Sequence, residues 1–443
     1  MQTTVRATIP DPPTSADVPV PGLVLVFSGT QPVCKPIRLE NGAVVLGRGG
    51  PTSDEKLSRR HARIAYDGAM WTVEDLGSTN GTWVDDEEIL GEVRRTKIRV
   101  IQAGTSVFLP MSDIRRFLRH LVRVEKGVVQ GPALQEAHAA IARAASSGDS
   151  MLVTGESGTG KELAARAYHQ AGAQSNGPFV PVNCAAIPEG LAERLLFGAR
   201  RGAYSGATHD TEGYVQAAHN GTLFLDEVAE LDSAVQAKLL RTIDTQQVLE
   251  LGAVSAKPVR VRVCAATHDL RARVAADKFR EDLYYRIGRP EIHLPPLRDR
   301  PEEIPWHLAE CCKHVDVPRE MNGGRPPVLS PSLVVAALLR RWPGNVRELL
   351  GEARRAAARA IDEERVVVEE RDLDPRAGIG IGEPVTEEQA GATRATPPPS
   401  DETYEAMVLE RGNVSRAARR LGIHRNKVRR WMDKYGVKRS DFE

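Results

Sequence analysis

The chain has 443 residues, 41% of them hydrophobic and 27% charged, too many for a single core and typical of several globular domains. Lys+Arg 60 against Asp+Glu 59 leaves a net charge of +1, which excludes a protein that binds polyanions over its whole surface. The five cysteines form no C-x-x-C pair, which argues against a disulfide framework or a cysteine zinc site; with no signal-peptide pattern and no apolar run near ~18 residues, a cytoplasmic protein without a membrane span is expected.

Residues 1–21 carry Pro10, Pro12, Pro13, Pro19 and Pro21 and are expected to be a disordered arm. Over 22–111, short β-branched runs such as Val44 to Leu46 and Trp71 to Val73 alternate with Gly, Asn and Asp turns, which predicts an all-β sandwich. Three polar clusters fall in its predicted loops: Gly47-Arg48, Ser58-Arg59-Arg60-His61, and Asp75 to Thr82. Guanidinium, hydroxyl and amide donors presented together are what a phosphate dianion needs. In order and spacing the clusters resemble the forkhead-associated (FHA) domain, a phosphothreonine reader. The resemblance implies phosphate contacts from Arg48, Ser58 and Arg59, contacts to the phosphopeptide from Thr79 and Asn80, and supporting roles for Gly47 and His61.

Residues 112–127 form a basic connector, and 128–365 alternate apolar strands (Met151 to Thr154, Thr222 to Leu225, Val261 to Ala265) with amphipathic helices, an α/β pattern ending in Ala- and Arg-rich helices. Gly155-Glu156-Ser157-Gly158-Thr159-Gly160-Lys161 lies between a predicted strand and a predicted helix, where backbone N–H groups can cradle phosphates and a lysine can reach the β and γ oxygens. Glu162 follows the lysine where most such loops place Ser or Thr. Asp226 and Glu227 end an apolar strand and suit Mg²⁺ binding and activation of the attacking water, respectively.

Here the motifs become specific. Gly155 to Glu162, Val182-Asn183-Cys184-Ala185-Ala186, Gly221 to Glu227, Phe279 to Arg286, Leu294 to Arg298 and Trp342 to Leu349 closely resemble the AAA+ domain of sigma-54-dependent transcriptional activators, in which Glu162 is the usual residue. The resemblance implies a homo-oligomeric ring, usually a hexamer, with ATP and Mg²⁺ at subunit interfaces. It also implies that Arg280 and Arg286 reach a neighbour's γ-phosphate, Arg347 reports nucleotide state to the lid, and Asn183 restrains Glu227. Thr267-His268 departs from the Thr-Asn usual at the first sensor. Gly202-Ala203-Tyr204-Ser205-Gly206-Ala207 stands where the family has the sigma-54-contacting Gly-Ala-Phe-Thr-Gly-Ala, with both side chains changed and the aromatic and the hydroxyl kept.

Residues 366–400 are read as a linker. In 401–443 the chain turns basic, with 11 Lys/Arg and one acid between Arg411 and Arg439. Gly412 to Ile423 reads as a helix and tight turn before a second helix from about His424, on which Val428, Trp431, Met432 and Tyr435 share one face and Asn426, Arg429 and Arg430 the other. This resembles the Fis-type helix-turn-helix, with Arg425, Asn426, Arg429 and Arg430 expected to meet double-stranded enhancer DNA as a dimer. The expected fold class is multidomain: an all-β FHA sandwich, an α/β AAA+ P-loop ATPase with an α-helical lid, and an all-α helix-turn-helix. The expected function is ATP-driven activation of sigma-54 RNA polymerase, regulated by a phosphothreonine partner of a Ser/Thr kinase pathway. A DNA-bound phosphopeptide scaffold or repressor that does not remodel polymerase stays open as the alternative.

Overall fold

The structure is a computed structural model that describes residues 18–50, 52, 54–188, 190–380, 402–410, 412–421, 428, 431–432 and 442. No helix among them is long and apolar enough to cross a membrane. The first unit comprises β1 (Gly22–Ser28), β2 (Gln31–Arg38), β3 (Ala43–Leu46), β4 (Ala62–Tyr66), β5 (Trp71–Asp75), β6 (Thr82–Val84), β7 (Glu87–Ile89), β8 (Glu92–Arg95), β9 (Ile101–Ala103) and β10 (Ser106–Met111). They form two sheets ordered β2-β1-β10-β9-β6-β7 and β3-β4-β5-β8. Leu23, Leu25, Ile64, Trp71, Val73 and Phe108 fill the space between them. In β5 the alternation is plain, with Trp71, Val73 and Asp75 buried and Thr72 and Glu74 partly exposed.

Strand β1 breaks that alternation, with Gly22 to Phe27 all buried. Its second face is covered as well: Val24, Val26, Val107 and Leu109 share one hydrophobic core with the helices that follow the ATPase sheet. The arm expected over residues 1–21 lies mostly outside the described residues, but its last two residues are tied down, Val20 O accepting from Ile114 N at 2.8 Å and Pro21 O from Leu39 N at 3.4 Å. The connector holds α1 (Arg115–Arg119) and leads through β11 (Arg123–Glu125) into β12 (Val128–Gln130), with Ile114, Phe117 and Val122 buried.

The ATPase unit follows as α2 (Pro132–Ser147), β13 (Met151–Thr154), α3 (Lys161–Ala171), β14 (Phe179–Asn183), α4 (Ala192–Phe197), α5 (Tyr214–Ala217), β15 (Gly221–Asp226), α6 (Ser233–Thr245), β16 (Gln247–Val248), β17 (Lys257–Pro258), β18 (Val261–Thr267), α7 (Leu270–Ala275), α8 (Glu281–Ile287) and β19 (Glu291–His293). Its sheet is parallel with order β14-β15-β18-β13-β19. Helices cover both faces, so β13 and β18 are buried along their whole length, and the apolar runs carry no polar alternation. A parallel sheet delivers the C-terminal ends of its strands to one edge, which brings Thr154, Asn183, Asp226 and Thr267 together.

The lid consists of α9 (Ile304–Cys312), β20 (Val328–Leu329), α10 (Pro331–Leu339), α11 (Asn345–Asp362) and β21 (Val367–Val368). The start of the expected linker needs correction. Residues 366–380 belong to the lid: β21 pairs with β20, Leu373 is buried, and Gly378 O accepts from Arg341 N at 2.9 Å. Their Gly and acidic residues resemble a linker in composition, yet three consecutive valines supply a strand that composition does not weigh. The rest of that segment, 381–400, lies outside the described residues. At the C-terminus α12 (Glu402–Leu409) and α13 (Val414–Arg420) enclose a small core of Ala406, Met407, Val414, Ala417, Ala418, Val428 and Met432, and Asn413 caps α13 by accepting from Arg416 N at 3.1 Å. Since the sandwich and lid share a core, Leu109→Ala should cost about 2–5 kcal/mol and lower the unfolding midpoint of both together, measured by tryptophan fluorescence in urea.

Candidate functional site

The phosphate loop joins β13 to α3, so the loop's N–H groups and the helix N-terminus face the same space. Gly158 has φ +79°, and a Cβ there would lie 2.2 Å from the Gly344 carbonyl oxygen, so the lid itself requires glycine at this position. A cleft of about 370 Å³ opens over the loop, large enough for a nucleotide. Val128, Val129, Leu134 and Leu350 contribute apolar lining, while Ser157 to Glu162, Asp226, Glu227 and Arg347 contribute polar groups and the phosphate-loop backbone. Lys161 Nζ donates to Gly155 O at 3.0 Å and sits 3.6 Å from Glu227 Oε1. Glu227 has φ +50°, a left-handed conformation uncommon for a non-glycine residue. Burial first, and then the neighbouring Glu227 charge, raise the pKa of Asp226, while Lys161 opposes them.

Asp226 is half-buried, a carboxylate oxygen donor of the kind a magnesium ion takes. Among the described residues no three His, Cys, Asp or Glu side chains converge to hold a metal. Asn183 pairs in register with Asp226 on the next strand, and its Oδ1 accepts from Ala185 N at 3.1 Å. Arg347 Nη1 donates to Ser157 Oγ at 3.1 Å. Arg280 and Arg286 do not line this cleft. They are exposed at opposite ends of α8 and paired with Asp282 at 2.7 Å and Asp244 at 2.7 Å.

Several residues that hold the loop in place escaped the motif reading. Asn345 Nδ2 donates to Ser157 O at 2.9 Å and Glu156 Oε2 at 3.2 Å, while its Oδ1 accepts from Leu297 N at 2.8 Å. Arg300, fully buried, bonds Thr159 O at 3.1 Å and Glu303 at 2.7 Å. Arg298 grips Glu156 with two bonds of 2.8 and 2.6 Å. Asn345 and Arg298 lie inside the quoted motifs; what they touch is set across the fold.

The Gly202–Ala207 loop is a chain of tight turns, with Gly202 N bonded to Ala207 O at 2.9 Å. Arg194 holds its aromatic side chain, donating to the Tyr204 hydroxyl at 2.8 Å with its guanidinium 5.2 Å from the ring centroid. A second element was missed. The hairpin between β16 and β17 lies against the loop, Arg200 N bonding Leu251 O at 2.9 Å, and carries the fully exposed Val254.

In the sandwich the three predicted clusters converge. Arg48 donates to Leu57 O at 3.1 Å and Glu55 O at 3.0 Å. Ser58 Oγ accepts from Thr79 N at 3.1 Å, and Asn80 Nδ2 donates to Lys56 O at 2.6 Å. Buried His61 accepts from Ser58 N on Nδ1 at 3.1 Å, which leaves Nε2 to donate to Gly81 O at 2.8 Å. Asp75 accepts from Ser78 Oγ at 2.5 Å and Thr82 Oγ1 at 2.8 Å, fixing the turn that carries Thr79 and Asn80. Arg59 is exposed beside them. Arg425, Asn426, Arg429 and Arg430 lie outside the described residues; of the expected opposite face, Val428 and Met432 are buried as the periodicity predicts.

Two measurements check this arrangement. A Cβ on Gly47 would lie 2.1 Å from Arg59 O, so Gly47→Ala should spread the Arg48 and Ser58 loops and lower any phosphopeptide affinity at least tenfold by calorimetry, with the fold retained by circular dichroism. Hydrogen bonds from Arg298, and more weakly from Asn345, hold Glu156 down to about 2 against an ordinary 4.5. A depressed carboxylate contributes stability above its unfolded pKa and loses it as pH falls through the folded value. The tie between lid and phosphate loop should therefore persist from neutrality to about 4.5 and fail between about 4.5 and about 2, and Glu156→Gln should flatten that limb of a pH–melting profile.

The profile described as the Sigma-54 interaction domain matches residues 128–293, the FHA domain profile 38–104, and the profile of Fis-family bacterial regulatory proteins 405–435. The chain is 37% identical to the DNA-binding transcriptional regulator NtrC of Azospirillum brasilense, over 68% of this chain and 67% of that protein. It is 36% identical to the response regulator protein PilR of Pseudomonas aeruginosa, over 77% of this chain and 80% of that protein. The structure of NtrX from Brucella abortus in complex with ATP superposes with a TM-score of 0.51 at 29% identity, covering 71% of this chain and 70% of that one. With a P-loop ATPase between an FHA sandwich and a Fis-type helix-turn-helix, the chain belongs to the sigma-54-dependent transcriptional regulators.

Proposed function

We propose that this protein is a DNA-bound activator that spends ATP on remodelling sigma-54 RNA polymerase and takes its input from a phosphothreonine peptide. The observation that carries the reading is the continuity between the nucleotide cleft and the Gly202–Ala207 loop. Strand β14 ends at Asn183 beside Asp226, and the chain runs from there through α4 into the loop, which Leu251 and Arg200 brace against the second hairpin. A change at that strand edge is therefore close along the chain to two adjacent exposed tips.

The chemistry follows from the residues in the cleft. Lys161 and Glu227 face each other. A γ-phosphate would draw Lys161 to its oxygens and free Glu227 to orient a water. That water attacks the γ-phosphorus, its proton passes to Glu227, and the bond to the bridging oxygen of ADP breaks. Mg²⁺ held by the phosphates, water and Asp226 would supply charge neutralisation. Asn183, one strand away, would restrain Glu227 until the partner is engaged, and Arg347 would carry the nucleotide state into α11. Arg280 and Arg286, exposed and remote from their own cleft, would complete the site of the next subunit in a ring, usually a hexamer. In the sandwich Arg48, Ser58, Arg59, Thr79 and Asn80 would bind the phosphothreonine peptide, and Arg425, Asn426, Arg429 and Arg430 would bind enhancer DNA as a dimer.

Single-round open-complex formation with sigma-54 polymerase tests the function: complexes should form with hydrolysable ATP and vanish with Lys161→Ala. None with the parent protein would leave the DNA-bound scaffold as the better reading. The shared site has its own test. Glu227→Gln and Arg286→Ala should each lower turnover at least a hundredfold, and mixing the two should restore part of it, since one mixed interface then holds both wild-type residues. Matched phosphothreonine and threonine peptides binding with equal affinity would count against the sandwich assignment.

A further inference from the structure

The contact between the sandwich and the lid is built on a shared hydrophobic core and also carries polar groups, among them Arg99. Arg99, between β8 and β9, sends its guanidinium across the domain boundary to the end of α10, where Nη1 donates to Leu339 O at 2.6 Å and Nη2 to Leu338 O at 2.9 Å. These are final carbonyls of the helix, which lack intrahelical partners, and a cation there also meets the negative end of the helix dipole. The cap thus comes from a different domain, 240 residues away along the chain.

Both ends of this link are stiff. On the sandwich side, Asp85 Oδ1 accepts from Arg99 N at 2.8 Å and Val100 N at 2.9 Å, and Val100 is buried in the core that joins the two domains. Asp85 directly follows β6, the strand that begins after Thr79 and Asn80. On the lid side the chain leaves α10 and enters a short segment fixed at each step. Trp342 is fully buried with Nε1 bonded to Ala337 O at 2.8 Å, Gly344 backs onto Gly158, Asn345 grips the phosphate loop, and Arg347 reaches Ser157.

We propose that Arg99, a sandwich residue, is a positioning residue of the ATPase: by capping α10 it sets the Trp342–Arg347 segment against the phosphate loop, and so sets how tightly ATP is held. The inference rests on reading the Gly155–Lys161 cleft as the ATP site, and goes beyond that reading by giving the sandwich a part in nucleotide binding that needs no phosphopeptide. The two capped carbonyls lie a few residues before Asn345, so a loosened helix end shifts the arm that carries Asn345 and Arg347, while Asp226 and Glu227 at the end of β15 and Lys161 at the start of α3 stay in place. The expected signature is therefore a change in KM, with kcat nearly unchanged.

The experiment uses the full-length protein and MgATP. The parent is first titrated with nucleotide; no saturable binding would remove the nucleotide reading and this inference with it. With binding established, Arg99→Ala should raise the KM for ATP about tenfold and change kcat less than twofold. Arg99→Lys, which keeps the charge but can serve only one carbonyl well, should fall between, and serves as the informative variant if alanine folds poorly. Arg94→Ala, at an exposed pair with Asp67 in the same sandwich, should leave both constants unchanged. In an Arg347→Ala background, Arg99→Ala should add less than twofold, because the arm it positions no longer carries its guanidinium. A KM for Arg99→Ala equal to the parent's would overturn the proposal, as would a lower melting temperature with no change in KM, or full additivity with Arg347→Ala.

Discussion

A loop that presents its N–H groups to a ligand cannot use them to hold itself in shape. The phosphate loop of this protein meets that constraint by borrowing its rigidity. Arg300 and Asn345 take up the carbonyls of Thr159 and Ser157, Arg298 fixes Glu156, and the Gly344 backbone presses on Gly158. Every one of these groups comes from the lid or from the segment leading into it. The lid is therefore part of the nucleotide site as well as its cover, and whatever orients the lid also tunes the site.

The same solution recurs in the sandwich. The loops bearing Arg48, Ser58, Thr79 and Asn80 stay open at their tips because buried polar groups hold them from below: His61 joins the second cluster to the third, and Asp75 gathers Ser78 and Thr82. Each of these supports is satisfied by two or more hydrogen bonds, as burial requires. In the sandwich Arg48, Ser58, Arg59, Thr79 and Asn80 are exposed or partly exposed, while His61 and Asp75, which hold their loops, are buried. The Gly202–Ala207 loop is built differently. It has no buried scaffold of its own, only turn hydrogen bonds, the Arg194 contact to Tyr204 and the neighbouring hairpin, which suits an element that moves.

Much of this was legible in the chain. Short β-branched runs between turns marked an all-β sandwich, and the apolar run of β13 marked a strand covered on both sides. The unbroken run of β1 carried the same message, but it sits in an antiparallel sandwich, where such a run gives no hint of what covers the outer face. The segment 366–380 was misread for a related reason: glycines and acids lower its average hydrophobicity, while the few residues that dock it, Val367, Val368 and Leu373, count only when their partner β20 is in place. Arg194, Arg300 and Asn345 carry no local signal of their roles, since their contacts to Tyr204, Thr159 and Glu156 span 10, 141 and 189 residues.

The sequence by itself determined the order of the three domains and the chemistry of their loops, because glycine spacing, strand-end carboxylates and clustered donors are local properties that survive without knowledge of contacts. Only the tertiary structure decided that the sandwich and the lid are one packed body, and that a sandwich arginine caps a lid helix. A hydrophobic face records that it must be buried but not against what, and a guanidinium's choice of carbonyl is made by the distance between two elements far apart in the chain.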